Sequence, residues 1–143
     1  MNYDFEHSTS LRVRYGETDQ MGYCYYGNYA QYFEVGRVET LRAIGMSYKR
    51  MEEEHVMLPV SEYNVKYIRP ALYDDKLTII TKIARVEGSR IYFNYAIQNE
   101  EGKVLSKAST TLVFVNKVNM RPIQPPAAFL EAIAPYQEKE DEK

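Results

Sequence analysis

The chain has 143 residues, of which 45% are hydrophobic and 27% charged, and its net charge is −2. This length and balance predict one globular domain with a substantial core, and they exclude a disordered or fibrous chain and one with a strong field for nucleic acid or anionic lipid. A lone cysteine, Cys24, rules out an intrachain disulfide and a Cys-only metal site, and His7 and His55 lie too far apart for a metal-ligand spacing. The first ten residues lack the basic–apolar–small order of a secretory signal, and no apolar run is long enough to span a bilayer, so a cytoplasmic protein is expected. Fourteen tyrosines and no tryptophan dominate the aromatic content, and Tyr15, Tyr23, Tyr25, Tyr26, Tyr29 and Tyr32 cluster in one stretch. Tyrosine pairs an apolar body with a polar tip, which suits pockets and interfaces, although for most of the fourteen an ordinary packing role is expected.

In chain order, Leu11, Val13 and Tyr15 alternate with Arg12 and Arg14, the period-two pattern of a half-buried strand. Gly16 to Gly22 has no period and reads as a loop. From Asn28 to Ile44, Tyr29, Tyr32, Phe33, Gly36, Thr40, Leu41 and Ile44 recur at helical spacing, with Asn28 placed to cap the start and Gly45 to stop the end. Glu34, Arg37 and Glu39 fall off this stripe. Gly36 falls on it, where it costs about 1 kcal/mol relative to Ala, so another backbone is expected to approach closely there. Ser47 to Glu54 reads as a short polar helix capped by Ser47.

The chain then turns strand-rich: Val56–Tyr67 as one strand or two, Lys76–Val86, Arg90–Gln98 and Lys103–Val115, with Asn99-Glu100-Glu101-Gly102 as a hairpin turn. Short turns predict an antiparallel meander. Asn119–Pro126 reads as an extended connector and Ala127–Tyr136 as a short helix. One domain is expected over 1–136, with a charged, frayed tail over 137–143. A long helix covers only one face of a curved sheet, so a chain this short is expected to pair with a copy of itself through a sheet edge.

The segment from Arg14 to Tyr29 carries the chemistry. It places Asp19 in a glycine-bounded loop that leads into the long helix. Free amides and the positive dipole end at a helix start can polarise a carbonyl and stabilise an oxyanion, and a carboxylate folded back beside them can attack the carbonyl carbon or activate water. An Asp in such a loop is also a common turn former, and the residue pattern leaves both readings open. Cys24 has no histidine near it in sequence and is expected to be a buried small residue rather than a nucleophile.

The string R-Y-x-E-T-D-x-M-G-x-x-Y-Y-G-N-Y-x-x-Y-F-E-x-x-R-x-E-x-L-R, from Arg14 to Arg42, resembles the 4-hydroxybenzoyl-CoA thioesterase family of hotdog-fold proteins, and especially its bacterial acyl-CoA thioester hydrolase branch. The resemblance continues in Tyr67-Ile68-Arg69-Pro70-Ala71, Asp74-Asp75 and Met120-Arg121-Pro122. It implies an α+β hotdog fold, an antiparallel sheet wrapped around a long central helix, in dimers that often pair into tetramers with active sites at the dimer interface. It implies that Asp19 is nucleophile or general base, and that the backbone amide of Tyr26, beside Gly27, polarises the thioester carbonyl. Tyr23, Tyr25, Asn28 and Tyr29 are then expected to line the substrate site. The ligand's phosphates need cations, and Arg69, Arg90, Lys117 and Arg121 sit at predicted strand ends or connectors; Arg69, Arg90 and Arg121 are expected to meet the phosphates, although for any single one an ordinary solvated charge is the simpler reading. No metal or redox cofactor is implied. Tyr23 departs from the His or Val common after the Gly in relatives, which bears on pocket shape rather than on the Asp.

The resulting expectation is an acyl-CoA thioesterase for short-chain or aromatic acyl groups. Two other readings of the same fold are a non-catalytic module that binds an acyl ligand or carrier protein, and a 3-hydroxyacyl thioester dehydratase. The last usually needs a His with an acidic partner, which the surroundings of His55 do not supply.

Overall fold

In a computed structural model, residues 1–139 are described. Strand β1 (Asn2–Arg12) opens the chain, and the long helix α1 (Tyr29–Ala43) follows a loop containing two 3-10 turns, Tyr15–Glu17 and Tyr26–Asn28. Then come α2 (Tyr48–Glu53), β2 (Val56–Met57), β3 (Val60–Tyr67), β4 (Lys76–Glu87), β5 (Arg90–Gln98), β6 (Val104–Val113), β7 (Val115–Asn116) and α3 (Ala127–Ile133). Five strands form one antiparallel sheet in the order β1-β4-β5-β6-β3, and β2 pairs with β7 in a separate ribbon. Among the described residues, no helix is long and apolar enough to cross a membrane.

The α+β architecture with a helix laid on an antiparallel sheet is as expected. The meander is only partial: β4, β5 and β6 follow one another, but β3 lies at the far edge beyond β6, so the chain crosses from that edge to enter β4. The first strand also differs from expectation. It occupies Asn2–Arg12, with Tyr3 and Phe5 buried, and Tyr15 belongs to a 3-10 turn. The alternation of Tyr3 and Phe5 with Asn2, Asp4 and Glu6 is the period-two signal that marks it. Nor does the expected tail fray from its first residue, because Gln137 bridges to Tyr3 and the Glu138 amide donates to the Asn2 carbonyl at 2.9 Å. The rest of that tail, 140–143, lies outside the described residues.

The sheet's inner face carries Leu77, Ile79, Thr81 and Ile83 from β4 and Ile91, Phe93, Tyr95 and Ile97 from β5, all buried. Against it, α1 buries Tyr29, Tyr32, Phe33, Gly36, Thr40 and Leu41, the predicted stripe. Arg37 is buried too, contrary to its expected place off the stripe: its Nε donates to the Tyr48 hydroxyl at 2.9 Å and its Nη1 to the Tyr95 hydroxyl at 3.2 Å. Phenol oxygens on α2 and β5 thus make a charged residue compatible with the interior. The helix ends at Gly45, whose φ of +83° suits glycine, with the Met46 amide returning to the Leu41 carbonyl at 2.8 Å. Ser47 caps α2, its hydroxyl accepting from the Arg50 amide at 3.1 Å.

The helix packs mainly over β1 and β4, with lesser contact to β5, and so lies off the centre of the sheet. Gly36 is the point of closest approach: a Cβ there would lie 2.4 Å from Thr81 Oγ1 and 2.7 Å from Ile79 Cγ2. Because β4 is paired on both sides, with β1 and β5, it cannot yield cheaply. The substitution Gly36→Ala is expected to lower unfolding stability by about 2 kcal/mol despite the better helix propensity of Ala, since overpacking outweighs propensity. Urea denaturation of the two proteins measures this, and a stabilised variant would refute the close approach.

Candidate active site

The loop between β1 and α1 is built around Glu17. Its backbone carbonyl accepts from the Tyr25 amide at 2.7 Å and from Asn28 Nδ2 at 2.8 Å, so it joins the two 3-10 turns. Its carboxylate accepts from the Arg14 amide at 2.8 Å and from the Tyr32 hydroxyl at 3.0 Å, and Arg14 Nη2 lies 3.4 Å away. Burial alone would raise the Glu17 pKa, but the bonds from the Arg14 backbone and from Tyr32, with the Arg14 guanidinium, hold it below its usual 4.5. Asn28 serves this knot rather than capping α1: its backbone is helical and it makes no side-chain cap.

On this frame, Asp19 forms a tight turn. Its Oδ1 accepts from the Met21 amide at 2.9 Å and the Tyr23 amide at 3.3 Å, while its own amide donates to the Tyr23 carbonyl at 2.8 Å. The turn-forming reading of Asp19 is therefore correct for one oxygen. The other, Oδ2, has no hydrogen-bond partner among the described residues. Asp19 also lines an open cleft of about 290 Å³, together with Met21, Tyr23, Cys24, Tyr26 and Tyr29 on one side and Tyr67, Ile68, Arg69 and Pro70 on the other. The Tyr26 and Gly27 amides, first in the turn that leads into α1, have no partner among the described residues, whereas the Asn28 amide returns to the Tyr25 carbonyl at 3.0 Å. Asp19 and Tyr26 thus line one cleft, next to Gly27 in the turn that leads into a 15-residue helix, whose start is its positive end.

Aromatic side chains form the far wall. Tyr29 meets Tyr67 edge-on with ring centroids 5.0 Å apart, and the Tyr67 hydroxyl donates to the Tyr26 carbonyl at 3.4 Å. Burial pushes the Tyr29 phenol up to about 12, so it is neutral at physiological pH and accepts from the Ala71 amide at 3.5 Å. Cys24 is buried, with Sγ 3.3 Å from the Tyr32 hydroxyl, and burial raises its thiol pKa. It is a protonated thiol at neutral pH, as expected of a packing residue.

The structure brings Asp19, Tyr23, Tyr26, Tyr29 and Arg69 to one cleft. It places Tyr25 and Gly27 just beside it: the Tyr25 ring lies over Gly27, 2.6 Å from where a Cβ would stand. Asn28 points into the Glu17 knot instead. Arg90 and Arg121 are not part of this cleft within one chain. Arg90 opens β5 opposite Val113, level with the Val60 end of β3, and Arg121 returns to Asn116 beside β7. The cleft lies at the Tyr67 end of β3, about 20 Å away along an eight-residue strand. Neither histidine lines the cleft. Tyr67 and Cys24 are walls that residue type alone did not single out, although Tyr67 falls in the downstream motif.

Residues 13–133 match the thioesterase-like superfamily. The chain belongs to this family. YneP of Bacillus subtilis is 36% identical over 119 residues, which cover 83% of this chain and 86% of that one. The acyl-CoA thioester hydrolase YbgC of Escherichia coli is 34% identical over 78% of this chain and 84% of its own length. Among solved structures, the DHNA-CoA thioesterase of Staphylococcus aureus superposes with a TM-score of 0.87 at 32% identity, over 91% of this chain and 89% of that one. The hotdog fold implied by the Arg14–Arg42 motif is thus the fold observed.

Two outcomes follow from the loop's construction. Because the folded pKa of Glu17 lies below its unfolded value, its contribution to stability is complete above about pH 4.5 and is lost as pH falls through the depressed folded pKa. Thermal melts from pH 7 down to pH 3 are expected to show a steeper acid loss for the wild type than for Glu17→Gln, and parallel curves would contradict the knot. The Cys24→Ala protein is expected to keep its turnover within a few-fold, measured with any thioester the wild type cleaves. Abolished turnover with an unchanged melting temperature would make the thiol part of the chemistry.

Proposed function

We propose that this thioesterase-family chain hydrolyses acyl-CoA thioesters, with Asp19 as the reactive carboxylate and the Tyr26 and Gly27 amides as the oxyanion site. The observation that carries the reading is the split role of Asp19. One oxygen is tethered by the Met21 and Tyr23 amides, which fixes the carboxylate plane, while the other has no hydrogen-bond partner among the described residues of a side chain that lines the cleft. The thioester carbonyl oxygen would lie at the two free amides, where developing negative charge is stabilised by donors already in place. Asp19 Oδ2 then acts in one of two ways. It attacks the carbonyl carbon, expelling CoA thiolate and leaving an anhydride that water opens; or it takes a proton from a water that attacks directly. Either way one water is consumed, the C–S bond breaks, and free acid and thiol leave.

The cleft is open along β3, an edge strand whose Val60, Tyr63 and Tyr67 are exposed. Antiparallel pairing of two such edges would close it and make a homodimer with one continuous sheet. The same pairing would set the Val60 end of one copy beside the Tyr67 end of the other. Arg90 and Arg121 of the second copy would then join Arg69 of the first around the CoA phosphates, with Tyr23, Tyr25 and Tyr29 against the acyl end. Short-chain or aromatic acyl groups suit the tyrosine-lined walls. The proposal is thus a cytoplasmic homodimer, or a tetramer built from it, in which each chain contributes one domain over 1–136.

Purified protein offered a panel of acyl-CoAs, with thiol release followed, tests the activity. Asp19→Asn keeps an oxygen for the Met21 and Tyr23 amides but removes the carboxylate, so its melting temperature should hold while kcat falls at least about a hundredfold. Undiminished turnover in that variant would end the proposal.

A further inference from the structure

The cavity next to the cleft contains a buried cation that the proposed hydrolysis does not use. It lies between α1 and β3, has a volume of about 270 Å³, and its walls include Phe33, Glu34, Arg37, Tyr63 and Thr110. It lies beyond the cleft along the same helix and strand. On α1, Tyr29 of the cleft is followed one turn later by Phe33 and another turn later by Arg37; on β3, Tyr67 of the cleft is followed by Tyr63 on the same face. The ring pairs Tyr29–Tyr67 and Phe33–Tyr63, with centroids 5.0 and 6.2 Å apart, span the gap between helix and strand in succession. Eight residues of helix separate Tyr29 from Arg37, a rise of about 12 Å. The cleft at Asp19 and the cavity at the guanidinium therefore lie in line along one seam, with these rings between them.

That guanidinium lacks a counter-ion. Arg37 is only 7% exposed, and among the described residues no carboxylate comes within ion-pairing distance of it. Nε and Nη1 donate to the Tyr48 and Tyr95 hydroxyls. Burial raises the pKa of both phenols, so each stays neutral at physiological pH and supplies a dipole rather than a charge. Tyr95 is committed further, its hydroxyl lying 2.6 Å from Thr110 Oγ1. Nη2 has no partner among the described residues. Glu34 shares the cavity wall, one turn back on α1, but is exposed and does not close on Arg37. Two bonds suffice to brace α1 against α2 and β5, yet guanidinium presents five donors in a planar fork that matches a carboxylate. A buried positive charge left with neutral partners is expensive, and an anionic oxygen in the cavity relieves that cost.

We infer that cleft and cavity together take acyl groups whose far end carries a carboxylate, the Tyr63 and Tyr67 rings of the exposed edge strand giving way to the chain, with Arg37 as the residue that selects them. The inference rests on the proposed thioesterase reading, since it places the thioester at Asp19 and the distal carboxylate at Arg37. The selecting interaction is remote from the reacting carbon, so its effect falls on kcat/KM for one substrate class over another.

The test compares matched CoA thioesters in the full-length protein: hexanoyl with adipoyl, and octanoyl with suberoyl. Wild type is expected to favour the ω-carboxy member of at least one pair by about tenfold or more in kcat/KM, the range of a charge-assisted hydrogen bond. Arg37→Met should lose that preference while keeping turnover of the uncharged member, and Arg37→Lys should restore part of it. Should Arg37→Met fail to fold, free suberate against free octanoate decides, read as the rise in wild-type melting temperature at equal concentration. A larger rise with suberate supports the site; an equal or smaller one overturns it. Equal wild-type rates within both pairs, or equal losses on both members in Arg37→Met, would also overturn it. Absence of turnover on every thioester would instead count against the hydrolase reading, and the suberate comparison would still judge the anion site.

Discussion

The contact that organises this molecule is the seating of α1 on β4 at Gly36. With no side chain at that point, the helix drops onto Thr81 and Ile79. It is held over β1 and β4, towards one edge of a five-stranded sheet. The β6 and β3 half of the inner face is left without a helix. Its filling comes from side chains that reach across, Tyr29 and Phe33 from the helix and Tyr63 and Tyr67 from the edge strand. Rings bridging a gap do not pack it as densely as a helix would, and the cleft and cavity both open along this seam. The position of the site is therefore a consequence of where one glycine allows a helix to rest.

The start of the helix is then fixed by a second constraint. Glu17 uses its backbone carbonyl and its carboxylate to bind the Arg14, Tyr25, Asn28 and Tyr32 groups around it. The loop carrying Asp19 is thereby held relative to the first amides of the turn into α1. This arrangement explains how a partly exposed loop can present a carboxylate with a defined orientation. The precision comes from hydrogen bonds one residue removed from the cleft, and Asp19 itself needs only the local turn through Met21 and Tyr23.

Much of this was legible in the sequence, and the exceptions have physical reasons. The stripe from Tyr29 to Leu41 and the alternation in Ile91, Phe93, Tyr95 and Ile97 were readable because burial follows the period of the backbone. Gly36 stood out as an entropic cost that only a close approach justifies. Arg37 is the exception on α1, because its charge alone points to solvent and nothing near it in sequence announces that Tyr48 and Tyr95 will receive it. The strand at Asn2–Arg12 carries its buried alternation in Tyr3 and Phe5 alone, and the polar run from Glu6 to Ser10 dilutes the period-two signal. Arg90 and Arg121 were grouped with Arg69 by residue type and position at strand ends. Only the strand order shows that they lie at the other end of β3.

The separation of those arginines bears on why the site is open in a single chain. A cleft at one end of an edge strand and unattached cations at its other end are useless to each other in one copy. In the proposed dimer, antiparallel pairing of two β3 edges would bring them together twice, once at each end of the joint sheet, because a two-fold axis exchanges the ends. The same operation covers the exposed apolar side chains of an otherwise uncapped edge. A third requirement is met by the same surface: the cavity holding Arg37 runs beneath β3, so closing the edge would exclude water from the guanidinium and strengthen any charge it faces. Edge protection, phosphate binding and desolvation of the proposed acyl site would thus all be met by one interface, the pairing that the bare β3 edge permits.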